Sequence, residues 1–281
     1  MEITLLTMIL IILLAFVCEY MDSTLGMGYG TTLTPIFMLM GFSPLEIVPA
    51  ILVSELVTGL LAGILHHREG NVNFKPLNHD YLKIHNLIHP IRFYQSVKKS
   101  FPMHLKIALL FGLCSMVGAV LAVFVAFNIP KFWLKMYIGI LVLSMGILIL
   151  VFFRRKIPFS IARITGIGLL ASFNKALSGG GYGPLVTAGQ MLSGVEGKNA
   201  VGITSVAEAM TCLVGVLLYW FIPNDRISWT LAPYIVIGAV LSVPLSAKSV
   251  KIMNPKTLKL AIAVLTIILG AVTIYKTLAA R

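Results

Sequence analysis

Four ionisable residues lie within apolar segments of the sequence, where a charge needs a specific reason to be present. Glu55 lies in the apolar run 47–65 and Glu208 in the run 201–221, at a separation of 153 residues that Asp22 and Lys175 share (208 − 55 = 175 − 22 = 153). Ionisable groups inside a membrane usually line cavities, pair with each other or move protons. We therefore predict that Asp22, Glu55 and Glu208 couple to protons and that Lys175 attracts an anion.

Each of these predictions has a structural alternative. The two glutamates could be neutral and hydrogen-bonded between helices, and Lys175 could form a salt bridge with Asp22. Glu19, close to the end of the first apolar run, is expected at the membrane interface rather than in a site. The partners of these side chains distinguish the alternatives.

Two glycine clusters recur at the same spacing and predict broken helices. Gly-Tyr-Gly occurs at 28–30 and again at 181–183. Glycine permits the backbone conformations that interrupt a helix, and the free N–H groups that begin the next helix attract anions. The segments that follow, 28–41 and 181–194, have about 14 residues each, which is too short to cross about 30 Å of hydrocarbon. We predict that both breaks face one anion site; close helix packing is the alternative.

The predicted substrate site consists of the glycine clusters, Lys175 and nearby polar side chains that can donate hydrogen bonds to an oxyanion. It comprises Gly26, Gly28, Tyr29, Gly30, Thr31, Thr34, Asn174, Lys175, Ser178, Gly179, Gly180, Gly181, Tyr182, Gly183, Thr187, Thr204 and Ser205. We predict no resident metal and no cofactor, because the three cysteines are dispersed in apolar segments with no Cys-x-x-Cys pair.

The elements that position these residues are membrane helices, as the composition of the chain indicates. The chain has 281 residues, of which 58% are hydrophobic and 11% charged, and its mean hydropathy is +0.95. Soluble domains carry about 25% charged residues. We predict an all-α polytopic membrane protein with about eight full spans and two short broken segments. The predicted segments are 3–21, 28–41, 44–65, 104–127, 132–153, 160–176, 181–194, 198–222, 229–247 and 257–278.

The constant spacing also predicts an internal repeat. Without a gap, Thr34 matches Thr187 and Gly41 matches Gly194, in addition to the pairs above. The repeats are 1–153, which includes an insertion at 66–103, and 157–281. Because each has five segments, an odd number, the second must enter the membrane from the opposite side, as in many secondary transporters.

The distribution of basic residues predicts the topology. If the insertion 66–103 is cytoplasmic, 16 of the 22 basic residues lie on the cytoplasmic side, as the positive-inside rule requires, and both termini are external. The basic residues predicted to be external are Lys131, Lys135, Arg226, Lys276 and Arg281. The net charge of +12 then reflects topology and contact with anionic membrane lipids, not nucleic-acid binding.

Five of the six histidines lie in the insertion: His66, His67, His79, His85 and His89. Their spacing matches no compact metal site, so we expect solvated or lipid-facing side chains. An alternative function nevertheless uses them: in a cation or metal-ion transporter, Glu55 and Glu208 would bind the ion and this loop would sense or deliver it.

The glycine motifs at 26–35 and 179–187, the run Gly202-Ile203-Thr204-Ser205 and the Pro-Lys pairs at 130–131 and 255–256 resemble the TauE/SafE family of sulfite and organosulfonate exporters. The resemblance covers nearly the whole chain. It implies proton-coupled export of small sulfur-containing anions across the cell membrane, with the substrate between the glycine motifs. We expect no enzymatic activity, because no hydrolase or metalloprotease motif is present. A homodimer is compatible with the sequence.

Overall fold

The computed structural model describes residues 4–75, 102–151, 161–192, 195–221, 229–250, 252 and 255–280. This part of the chain forms ten helices and contains no strand. The helices are α1 (Leu5–Leu25), α2 (Tyr29–Leu39), α3 (Pro44–Arg68), α4 (Met103–Asn128), α5 (Lys131–Val151), α6 (Ile161–Ser178), α7 (Tyr182–Leu192), α8 (Gly197–Phe221), α9 (Ala232–Ser249) and α10 (Pro255–Ala279). The all-helical prediction is confirmed, and each predicted segment corresponds to one helix.

Seven of the described helices are long and apolar enough to cross a membrane: α1, α3, α4, α5, α8, α9 and the part of α10 from Leu260 to Ala279. Helix α6, predicted to be an eighth span, has 18 residues and includes both Arg163 and Lys175. Large apolar side chains such as Leu113, Leu121 and Leu241 are more than half exposed, as expected of surfaces that face lipid rather than water. The chain is a multi-pass membrane protein.

Local sequence signals explain where several helices begin and end. The Ser43 N–H donates to the Glu46 carboxylate at 2.7 Å and Pro44 occupies the first position of α3, both of which favour a helix start. Gly26 terminates α1 in the left-handed conformation, with its N–H bonded to the Asp22 carbonyl at 2.6 Å. Because α1 continues to Leu25, four residues beyond the predicted end, Glu19 lies well inside the helix.

The helix contacts have the pattern expected if a twofold axis relates the two halves. Helix α1 packs against α9, and its counterpart α6 packs against α4. Helix α3 packs against its counterpart α8, and α5 against its counterpart α10. The repeat boundaries and the inverted orientation of the halves stay predictions.

Contacts of the residues after α3 show which helix ends lie together at one end of the bundle. The Asn71 side chain after α3 donates to the Ala247 carbonyl in α9 at 2.9 Å, and the Asn73 N–H donates to His104 Nδ1 at the start of α4 at 3.1 Å. The ends of α3 and α9 therefore meet the start of α4, at the end predicted to be cytoplasmic. Helix α3 extends to Arg68, and so includes the first three residues of the predicted insertion, and α4 begins at Met103; the bounds of the insertion stay a prediction.

Candidate functional site

The two helix breaks lie directly against each other. No Cβ atom could be added to Gly30, because the Gly179 carbonyl occupies that space, and none to Gly183, because the Gly26 carbonyl does so there. These two contacts are equivalent under the 153-residue spacing. The breaks are thus adjacent, as predicted, and the close backbone packing that we considered as the alternative role of the glycines is present.

Four glycines of the two clusters adopt left-handed backbone conformations, which explains why glycine is needed at these positions. The φ angles are +68° at Gly26 and +75° at the equivalent Gly179, and +126° at Gly28 and +83° at the equivalent Gly181. In the described residues, glycine alone adopts a positive φ, as expected because a Cβ is strained there. The repeated glycine spacing is therefore needed to form two equivalent breaks.

Two equivalent threonines join the breaks. Thr34 in α2 donates its hydroxyl to the Ser178 carbonyl at 2.9 Å, and Thr187 in α7 donates to the Gly26 carbonyl at 2.7 Å. The accepting carbonyls are at the ends of α6 and α1, where a helix leaves its last carbonyls without partners. Each half thus donates a hydrogen bond to a carbonyl group at the end of a broken helix in the other half.

A buried ion-pair cluster lies beside the breaks. Lys175 Nζ pairs with the Glu55 carboxylate and, at 2.7 Å, with Glu208 Oε1. The relative exposures are 1% for Lys175, 3% for Glu55 and 5% for Glu208, so bulk water screens the charges little. Lys175 is therefore paired, but with the two glutamates rather than with Asp22, the partner considered as the alternative, because α3 and α8 pack against each other and bring both glutamates to it.

Asp22 belongs to the same cluster without being an ion-pair partner of Lys175. One carboxylate oxygen from each of Asp22, Glu55 and Glu208 lies within 4.8 Å of the others. Asp22 accepts the Tyr29 N–H at 3.3 Å, which stabilises the start of α2. The cluster therefore connects the first helix break to the lysine that precedes the second.

Glu19 is a fourth carboxyl group of this site, and its predicted interfacial position is wrong. It is 2% exposed, and its Oε1 accepts the Ser23 hydroxyl at 2.6 Å. Glu19 lines a cavity of about 10 Å³, roughly the size of one water-sized sphere, together with Asp22, Glu55, Thr58, Gly59, Ser205 and Glu208. Four carboxyl groups thus line one small space with room for a proton or a water, and two of them also pair with the Lys175 ammonium group.

Comparison with models of protein families finds one that matches most of the chain. The family model described as "Sulfite exporter TauE/SafE" matches residues 11–78 and 91–273. The chain belongs to the TauE/SafE family. The match includes both helix breaks and every member of the carboxylate–lysine cluster.

A curated relative of this TauE/SafE protein is "Probable membrane transporter protein YtnM" of Bacillus subtilis (strain 168). The two are 24% identical over 272 residues, which cover 91% of this chain and 79% of the relative. No solved structure matches the chain.

The remaining predicted site residues fall into two groups around the breaks. Ser205 lines the small cavity and donates to the Val201 carbonyl of its own helix at 3.0 Å. Thr204 bonds Thr187 and also Gln190, each at 2.9 Å. These contacts lie on the side of the second break that faces α8.

The second group lies towards α5. Asn174 Oδ1 accepts the Tyr137 hydroxyl at 2.5 Å. Ser178 donates to the Asn174 carbonyl at 2.7 Å and accepts the Gly180 N–H at 3.2 Å. The Thr31 hydroxyl is buried without a hydrogen-bond partner in the described residues.

The two tyrosines of the repeated Gly-Tyr-Gly motif are fully buried and occupy equivalent positions. Tyr29 shares a hydrogen bond with Ser54 at 2.7 Å, and Tyr182 shares one with Ser115 at 3.2 Å. Each ring inserts into an apolar cluster, so these tyrosines fix the first turn of α2 and of α7.

His66 differs from the prediction of a solvated or lipid-facing loop residue. It is in α3, is fully buried, and its Nε2 lies 2.9 Å from the Ser23 carbonyl. The Asn71 amide donates to Nδ1 at 3.0 Å, so the proton resides on Nε2 and the ring is neutral. His79, His85 and His89 lie outside the described residues.

Proposed function

We propose that this TauE/SafE protein is a secondary transporter that moves small sulfur-containing anions, such as sulfite or sulfonates, out of the cell in a proton-coupled cycle. The observation that carries the proposal is the buried Lys175 between Glu55 and Glu208, next to two interlocked helix breaks. The family supplies the class of substrate, and the cell membrane is the expected location.

The ion pairs suggest how protons and the anion are coupled. Lys175 can bind an anion only if at least one carboxylate stops competing for it. Protonation of Glu55 or Glu208 removes that competing charge, so that an anion can take the place of the carboxylate at Lys175. Anion binding and proton uptake at this cluster then favour each other.

This coupling has a consequence for the charge moved. A proton that travels with a monoanion makes the cycle electrically neutral, so its direction follows the substrate and proton gradients. Without the proton, the membrane potential contributes about 2.3 kcal/mol per charge per 100 mV. In this proposal the occluded Lys175–carboxylate cluster is the resting form without substrate.

A thermal-stability series on the purified protein tests the binding step. Thiosulfate is the best probe, because its own charge does not change between mildly acidic and mildly alkaline pH, and sulfite, sulfate, sulfoacetate and taurine complete the series. We expect stabilisation by a sulfur anion to be stronger at acidic pH, and a ligand at 100 times its Kd contributes about 2.7 kcal/mol.

The double variant Glu55→Gln/Glu208→Gln provides the matched test of the pH effect. It keeps Lys175 but removes both competing carboxylates, so stabilisation by the anion should become nearly independent of pH. Stronger binding at alkaline pH in the wild type would contradict the proposed coupling.

The proximity of three carboxylate oxygens favours a second candidate function, transport of a cation or metal ion. Asp22, Glu55 and Glu208 have the separation of a cation site. The Lys175 ammonium, however, already pairs with two of these three groups. Manganese or zinc alone should therefore not stabilise the wild type; stabilisation that Glu55→Gln abolishes and Lys175→Ala preserves would support this second function.

A further inference from the structure

Three of the basic residues predicted to be external line one pocket, which shares no residue with the central cluster. The pocket is about 380 Å³ in volume and is lined by Lys131, Lys135, Lys276, Phe132, Met38, Leu39, Thr273, Thr277 and Ala280. The positive-inside rule disfavours lysines on the external side. Their convergence therefore requires another explanation, independent of the proposed transport function.

The pocket has a surplus of positive charge. No acidic residue is among its lining residues, and none of its three lysines forms an ion pair within the part of the chain that the structure describes. Lys131 and Lys135 are in the first two turns of α5, where the helix dipole adds positive potential. Lys276 reaches the pocket from the last turn of α10.

A buried hydroxyl group provides independent evidence for a ligand. Thr273 lines the pocket, is 2% exposed, and its Oγ1 has no hydrogen-bond partner among the described residues. Thr266 and Thr277 of the same helix instead donate to carbonyls of that helix at 2.8 Å and 2.7 Å. The Thr273 hydroxyl is thus an unused hydrogen-bond donor on a residue that lines the pocket.

The surroundings define which ligand would fit. Met38, Leu39 and Phe132 form an apolar wall beside the lysines. Trp133 and Tyr275, each adjacent in sequence to a lining residue, are 59% and 73% exposed, and exposed aromatic residues are typical of the region where a membrane meets water. The occupant should therefore combine an anionic group with an apolar part.

We propose that this pocket, between the ends of α2 and α10 and the start of α5, binds a phosphate or sulfonate group attached to an apolar moiety. The oxyanion contacts Lys131, Lys135, Lys276 and the Thr273 hydroxyl. Two sources have this chemistry: the headgroup of an anionic phospholipid, and a soluble organic anion at the external face.

The experiment measures the thermal stability of the full chain in a nonionic detergent. The probes are short-chain phosphatidylglycerol, the matched zwitterionic phosphatidylcholine, inorganic phosphate and ethanesulfonate. We expect saturable stabilisation by an anionic probe and none by phosphatidylcholine. Selective stabilisation by phosphatidylglycerol identifies a lipid site, whereas equal or stronger stabilisation by ethanesulfonate identifies a soluble anion.

Two variants assign the effect to the pocket. Thr273→Val removes the hydroxyl while conserving shape and charge, and should weaken binding about tenfold, as expected for a lost hydrogen bond to a charged group. Thr266→Val, on the same helix but outside the pocket, is the control and should bind normally. Lys135→Gln/Lys276→Gln should reduce affinity further.

The proposal would be overturned if no anionic probe stabilised the protein. It would also be overturned if Thr273→Val, folded as shown by an unchanged melting temperature without ligand, bound as tightly as Thr266→Val.

Discussion

At the residue scale, a single lysine holds together carboxylates from two different helices. Lys175 lies between Glu55 of α3 and Glu208 of α8, with Asp22 close by. The equal spacing of the four residues indicated that they occupy equivalent positions in the two repeats. Their pairing could not be predicted, because it depends on how α3 and α8 pack. Glu19 was missed for a simpler reason: the predicted end of α1 fell short of Leu25.

Replacing Lys175 alone should be much more harmful than replacing it together with its two ion-pair partners. Lys175→Met leaves Glu55 and Glu208 buried without their counter-charge, and breaking a buried ion pair from one side costs about 3–5 kcal/mol. The triple variant Lys175→Met/Glu55→Gln/Glu208→Gln removes the charges together and should recover most of this loss. Thermal unfolding in detergent measures both; equal destabilisation of the two variants would contradict the charge-balance argument.

At the element scale, two short helices are positioned by backbone contacts between the halves. The glycine clusters predicted the breaks correctly, and Pro184 in the first turn of α7 agrees with a helix start there. What the sequence could not supply was that Gly30 meets Gly179 and Gly183 meets Gly26. Such contacts leave no pattern beyond the glycines themselves. His66 was misplaced for a similar reason, since its partner is a backbone carbonyl of α1.

Adding one methyl group where the backbones of the two helix breaks touch should therefore disrupt the fold. In Gly30→Ala the new Cβ would collide with the Gly179 carbonyl, and backbone atoms cannot move aside as a flexible side chain can. Gly166 in α6 has no atom near its added Cβ, so Gly166→Ala is the control and should be neutral or stabilise by about 0.5–1 kcal/mol. We expect Gly30→Ala to express poorly or to have a much lower melting temperature. Equal stability of the two variants would contradict the close contact between Gly30 and Gly179.

At the scale of the whole molecule, the length and hydropathy of the apolar runs were sufficient to predict ten helices, because spanning segments must satisfy their own backbone. The structure also brings together helix ends that were predicted to lie on the same side of the membrane. Asn71 links the ends of α3 and α9, whereas α2, α5 and α10 meet around the basic pocket. Which of these two ends faces the cytoplasm follows from charge alone and stays a prediction.

Cysteine labelling tests this orientation directly. In a background without Cys18, Cys114 and Cys212, we expect Lys276→Cys to react with an impermeant maleimide added to intact cells. Lys198→Cys, at the exposed start of α8, should react only after the membrane is opened. The reverse pattern would invert the topology and place the basic pocket on the cytoplasmic side.

The central claim, coupling of anion movement to protons through Lys175 and its two glutamates, is tested most directly in proteoliposomes that report internal pH. An outward thiosulfate gradient should produce efflux accompanied by proton loss from the lumen. Glu55→Gln/Glu208→Gln should retain thiosulfate flux without the pH change, and the triple variant lacking Lys175 should show neither. Wild-type rates of coupled efflux in the folded triple variant would contradict the account.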